Sequence, residues 1–172
     1  MMDIRSLLTN LPSRAERALY MEAVGTSRKE VTSLLNMIFE EKDPLAWRAA
    51  WILDGSDELH PGLVRDRIAW VIQKLTGLSS TGALRSLLRM MCRYDIPEEE
   101  QGLLIDLCFG YMVSELYPVA VKVHAMQIIY QHALLYPELK EELQTVIEDQ
   151  IGNNSVGFKS RGTRILQKLE RS

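Results

Sequence analysis

Arg48, Arg85, Lys122 and Lys159 follow one another at a constant spacing of 37 residues. The windows around them are WRAAWIL, LRSLLRM, VKVHAMQ and FKSRGTR, which agree in part. A longer echo relates DPLAWRAAWIL to YPVAVKVHAMQII, and each is followed by a second Pro-initiated segment, HPGL and YPEL. One aligned pair of bases is coincidence; four at one interval, each at the same place in its segment, form a repeat. A period of this length constrains the fold more than any other feature. It calls for a stack of similar supersecondary units, each burying its apolar face against its neighbours.

The unit is a pair of helices. Period-two alternation is nearly absent, and apolar residues recur at three- and four-residue spacing. Val64, Ile68, Val71, Ile72 and Leu75 make one such stripe, and Leu139, Leu143, Val146 and Ile147 another. Pro44, Pro61, Pro97, Pro118 and Pro137 stand near the starts of helical patterns, where a missing N–H costs nothing. Gly25, Gly55 and Gly77 stand where C-terminal caps belong. The pattern predicts helices over 13–24, 27–41, 44–55, 61–76, 80–93, 97–114, 118–135, 137–151 and 155–169. Their connections are short, so sequential helices run antiparallel. The expected fold is all-α: a solenoid of about four helical hairpins with an extra N-terminal helix, forming one domain over 1–172.

The stretch LLNMIFEEKDPLAWRAAWIL resembles a HEAT-type repeat, with an apolar helix, a turn bearing Asp43 and Pro44, and a second helix opening on Arg48 and small residues. Later copies put Ser80, Tyr117 and Asn154 at the place of Asp43. The resemblance covers residues 27–170 and implies a HEAT/armadillo-like superhelix whose second helices line the concave, binding side. The whole chain is also similar to a small group of uncharacterised bacterial HEAT-like proteins sharing RAAWIL, VKVHAMQ, YPEL and FKSRGTRIL. An adenylosuccinate lyase label attached to some of that group finds no support. Such lyases carry Ser-Ser-x-Met-Pro-x-Lys-x-Asn-Pro, and GLSSTGALRS supplies only Ser79 and Ser80 of it.

Composition narrows the function. A net charge of -3 supplies no global attraction to nucleic acid or anionic membrane. Cys92 and Cys108 lie in apolar runs without the clustered ligands of a zinc site, and read as free buried thiols. The segment MMDIRSLLTN lacks a signal-peptide apolar core, and the longest stretch free of Asp, Glu, Lys and Arg, 123–137, is too short to span a bilayer. A cytoplasmic protein is expected. With no phosphate loop, dinucleotide fingerprint, metal spacing or Ser-His-Asp set, no cofactor and no metal are expected.

Three groups of residues are candidates for function. Arg85, Arg89 and Arg93, spaced i, i+4, i+8, form a basic stripe that reads as a phosphate-binding track, as a solvated face, or as one partly neutralised by the acidic helix that follows. Trp47, Trp51 and Asp54 share a face at i, i+4, i+7. Bacterial alkyl-base DNA glycosylases are built from similar repeats. By that analogy Trp51 would stack on a displaced base and Asp54 would steady charge on the sugar. His124 and His132, on an apolar helix, read as satisfied core or edge histidines rather than ligands. Asp106 in LLIDLCFGYM reads as partly buried, and Gly102, Asp106 and Gly110 as a face of close helix approach. The expected function is a non-enzymatic module that grips a protein partner on its concave face through Trp47, Trp51, Arg85, Arg89, Arg93, Lys122 and Lys159. The alternative is nucleic-acid backbone binding with glycosylase-like base excision at Trp51 and Asp54. No membrane partner is expected.

Overall fold

In the computed structural model, which describes residues 3–10 and 12–171, ten α-helices and two short 3₁₀ turns carry the chain, and no strand occurs among those residues. The helices are α1 (Ile4–Thr9), α2 (Arg14–Gly25), α3 (Arg28–Glu40), α4 (Leu45–Leu59), α5 (Ile68–Lys74), α6 (Thr81–Met91), α7 (Glu98–Val113), α8 (Val119–Ala133), α9 (Leu139–Ile151) and α10 (Val156–Glu170). They form two compact units divided between Ile96 and Pro97.

Side chains flanking the helices set their starts. Ser13 and Glu16 make a reciprocal capping box at α2, and the Ser13 hydroxyl holds the Glu16 carboxyl below its usual range. Ser27, Ser80 and Ser155 accept from the third backbone N–H of α3, α6 and α10. Asp43 accepts the Trp47 N–H at 3.2 Å, and its same oxygen accepts the Ser80 hydroxyl at 2.7 Å, one period along the chain. The turn residue of one repeat is thus tied to the turn residue of the next.

In the first unit, α4 packs against α2, α3 and α6. Its Ala46, Ala49, Ala50, Ile52 and Leu53 are buried, and the small residues let three neighbours approach one helix. Truncating Leu53 to Ala would cost about 2–5 kcal/mol by the usual core cavity penalty. In the second unit, α8 packs against α7, α9 and α10, burying Val121, Ala125, Met126, Ile128 and Ile129.

Several boundaries and placements differ from the sequence expectation, each for a local reason. An additional six-residue helix, α1, precedes the expected N-terminal one; it buries Ile4 and Leu8, and Arg48 bonds the Leu8 and Thr9 carbonyls at its end. The fourth helix runs through Gly55 to Leu59, because Gly55 serves close approach: a Cβ there would meet the Met21 side chain at 2.5 Å. The stretch expected as one helix over 61–76 is a turn with Gly62 at φ +91°, then 3₁₀, α and 3₁₀ segments in succession. Gly102 and Gly110 are not at a helix contact, since a Cβ at either meets nothing within 4 Å, and Asp106 is exposed. The close approach lies at Gly162, whose Cβ would fall 2.9 Å from Ile147. His132 is buried and bonded to the Ile128 carbonyl at 2.8 Å, as a core histidine is.

Candidate binding surface on the second helices

The second helices of the pairs are α4, α6, α8 and α10, and every residue in the proposed contact set lies on one of them or on the residues that end it. In the first unit two neighbouring second helices meet along a strip that runs from aromatic to charged. Gly82 lies against Trp47, where a Cβ would fall 2.9 Å from the Trp47 Cβ. Trp47 and Trp51, one turn apart on α4, have ring centroids 6.0 Å apart, and both are partly exposed. The Arg17 guanidinium of α2 lies over the Trp51 ring at 4.3 Å from its centroid, and Arg48 lies 5.5 Å from that of Trp47. One turn beyond Gly82, Arg85 is exposed and makes no hydrogen bond or ion pair among the described residues.

Arg89 and Arg93 behave differently. Arg89 bonds Asp54 at 2.6 Å and Glu58 at 2.9 Å; Arg93 bonds Asp54 at 2.8 Å and Asp57 at 2.9 Å. Asp54 is 3% exposed and Asp57 1%. Tyr94 donates its hydroxyl to Asp57 and accepts the Val64 N–H, and the Leu63 N–H also reaches Asp57. Two guanidinium charges are thereby set against three carboxylates. The bond from Arg89 lowers the Glu58 pKa, and the bonds from Asp54 and Glu58 raise that of Arg89. Burial works against the Arg93 charge, but its bonds to Asp54 and Asp57 outweigh that and leave its pKa raised. Burial, then the bond to Asp57, pushes the Tyr94 phenol above its ordinary range.

The structure therefore places Trp47, Trp51, Arg85, Arg89, Arg93 and the buried Asp54 along α4 and α6 but divides their work. Both oxygens of Asp54 are held by arginines, and the Trp51 ring carries the Arg17 guanidinium. The two groups that base excision would use are thus engaged within the protein. In the second unit Lys159 is exposed, whereas Lys122 is 7% exposed and faces a cavity. Sequence reasoning passed over Asp57, Glu58, Arg17 and Tyr94. The available signal was the period itself: Asp57 and Tyr94 are 37 residues apart, and the Arg–Asp pairs 35 to 39.

The ladder of contacts one period apart, from turn to turn and from second helix to second helix, is how helical-hairpin repeats stack. Residues 5–169 match the HEAT repeat domain family. This chain is a member of the HEAT-repeat family. No curated protein and no solved structure matched it. HEAT repeats commonly mediate protein interactions. Among the described residues no helix is long and apolar enough to cross a membrane, and no group of three or more His, Cys, Asp or Glu is placed to hold a metal ion.

Proposed function

We propose that this HEAT-repeat protein is a non-enzymatic interaction module that docks a protein partner on the strip formed by α2, α4 and α6. The observation that carries the reading is the pairing of Trp47 and Trp51, partly exposed and fixed by Arg17, Arg48 and Gly82. Tryptophan and arginine are the residues most enriched at the energetic centres of protein interfaces. Rings already held in place lose little entropy when a partner covers them. Arg85, exposed one turn beyond Gly82 on α6, supplies a free positive charge on the same strip.

Backbone binding to nucleic acid is disfavoured by the same geometry. The basic stripe is reduced to Arg85, because Arg89 and Arg93 face three carboxylates, and phosphate affinity depends on the number of uncompensated cations. The reading is tested by affinity enrichment from native cells with the wild type, Trp51→Ala and Arg85→Glu, with proteins compared quantitatively. A partner retained by the wild type and depleted in both variants, which themselves stay folded, is expected. Identical recoveries from all three would sink the proposal.

A further inference from the structure

The second unit contains a cavity of about 550 Å³ between the turn joining α7 to α8 and the turn joining α9 to α10. Val113, Glu115 and Tyr117 line it from one side, Asp149, Asn153 and Asn154 from the other, and Lys122 reaches into it from the first turns of α8. The place is defined by the repeat. In the first unit the matching turn residues, Asp43 and Ser80, close on each other through a 2.7 Å bond. Their counterparts here, Tyr117 and Asn154, bond elsewhere: Tyr117 packs edge-on against Tyr111, and Asn154 donates to the Gln150 carbonyl. The seam that is sealed in one unit is left open in the other.

Lys122 tells the same story. Its counterpart Arg48 donates through one guanidinium nitrogen to the Leu8 and Thr9 carbonyls. The side chain of Lys122, a residue 7% exposed, makes no hydrogen bond or ion pair among the described residues. Its ammonium opens on the cavity with no acceptor supplied by the protein, which leaves its three donors to a bound molecule. The cavity is also polarised. On the Lys122 side stands the N-terminus of the fifteen-residue helix α8, with no side-chain cap. On the far side stands the C-terminal end of α9, with no base in its last turn and with Asp149 beside it. Lys122 and the α8 N–H groups, with the exposed Glu115 carboxylate on the same wall, thus face Asp149 and the α9 carbonyls.

We infer that this cavity is a binding site for a small zwitterion of the amino-acid class, its carboxylate on Lys122 and the start of α8, its ammonium toward Asp149 and the end of α9. A simple anion would meet the Glu115 and Asp149 carboxylates unneutralised, and a simple cation would meet Lys122. A molecule bearing both charges pairs with Lys122 and with Asp149 and leaves only the solvent-exposed Glu115 to water, with the Asn153 and Asn154 amides also in the lining. The volume is within the range of small-ligand pockets.

The test is a titration of the isotope-labelled protein with free amino acids, with acetate and methylamine as single-charge controls, followed through the side-chain amide resonances of Asn153 and Asn154. Saturable shifts with at least one amino acid and not with either control are expected. Lys122→Met and Asp149→Asn should each weaken the response about tenfold or more, the loss of one charge-assisted contact. Lys122→Met should stay folded and melt no lower than the wild type, since the ammonium has no partner within the protein to lose. No shift with any amino acid, or an equal response to acetate, would overturn the inference; so would undiminished binding in Lys122→Met.

Discussion

Arg93→Met is the perturbation whose cost follows most directly from the geometry. Methionine keeps the length and apolar stem of the side chain and removes the guanidinium. Asp57 then loses both bonds to Oδ2, at 3.1 and 2.9 Å, and Asp54 loses the 2.8 Å bond to Oδ1, while Asp54 keeps Arg89 and Asp57 keeps Tyr94 and the Leu63 N–H. Removing one partner of a buried ion pair costs about 3–5 kcal/mol. The Arg93 side chain is 30% exposed, so water enters as it leaves and the cost falls to or just below the bottom of that range, about 2–3 kcal/mol. All three tryptophans, Trp47, Trp51 and Trp70, precede residue 96, so urea unfolding followed by tryptophan fluorescence reads the first unit. The midpoint should fall by about 1–2 M urea, while Arg85→Met, which removes a free surface charge, should move stability by less than about 0.5 kcal/mol. A loss below about 1 kcal/mol for Arg93→Met would refute the reasoning, because it would mean the carboxylates are already hydrated.

Gly82→Ala should destabilise the first unit by about 1 kcal/mol, because crowding against the Trp47 Cβ outweighs the gain in helix propensity. Gly102→Ala, with open space around its Cβ, should stabilise the second unit by about 0.5–1 kcal/mol, read by circular dichroism during thermal unfolding. Tyr20, Tyr94 and Tyr111 have phenol pKa values raised above the ordinary value, chiefly by burial. Above about pH 10 the unfolded chain releases those protons first, so their contribution to stability is intact below that pH and declines as pH rises past it. Tyrosinate difference spectra against the Tyr94→Phe variant test this, and ordinary titration of Tyr94 would contradict it. Titration of labelled DNA and RNA at low and physiological salt should show no saturable binding that depends on Arg85. Salt-steep binding lost in Arg85→Glu would restore the phosphate-track reading.

The repeat was legible because stacking leaves a trace at fixed spacing: the 37-residue interval that aligns Arg48 with Arg85 also joins Asp43 to Ser80 and Asp57 to Tyr94. Helix content and most starts were legible for a different reason, because apolar spacing and the residues that open a helix act locally; the caps Ser13, Ser27, Ser80 and Ser155 stand at expected starts. What escaped depends on tertiary contact. Gly55 looks like a cap and is a contact with Met21; Gly102 and Gly110 look like contacts and face open space. α1 is too short to show a period, and it is held from outside, by Arg48. For the candidate surface, the periodicity placed the tryptophans and arginines on shared faces. It did not reveal that Asp54 and Asp57 take up two of the three arginines, because a helix face becomes a surface or a seam only when the next helix is laid beside it.

The central claim, that the α4/α6 strip meets a protein, is tested most directly by photo-crosslinking in living cells. A photoreactive residue is placed at the position of Arg85 and, as control, at exposed Glu99 on α7. The account predicts a discrete crosslinked protein from position 85 and none from position 99. Crosslinks to nucleic acid from position 85, or no crosslink from it while position 99 yields a protein adduct, would contradict it.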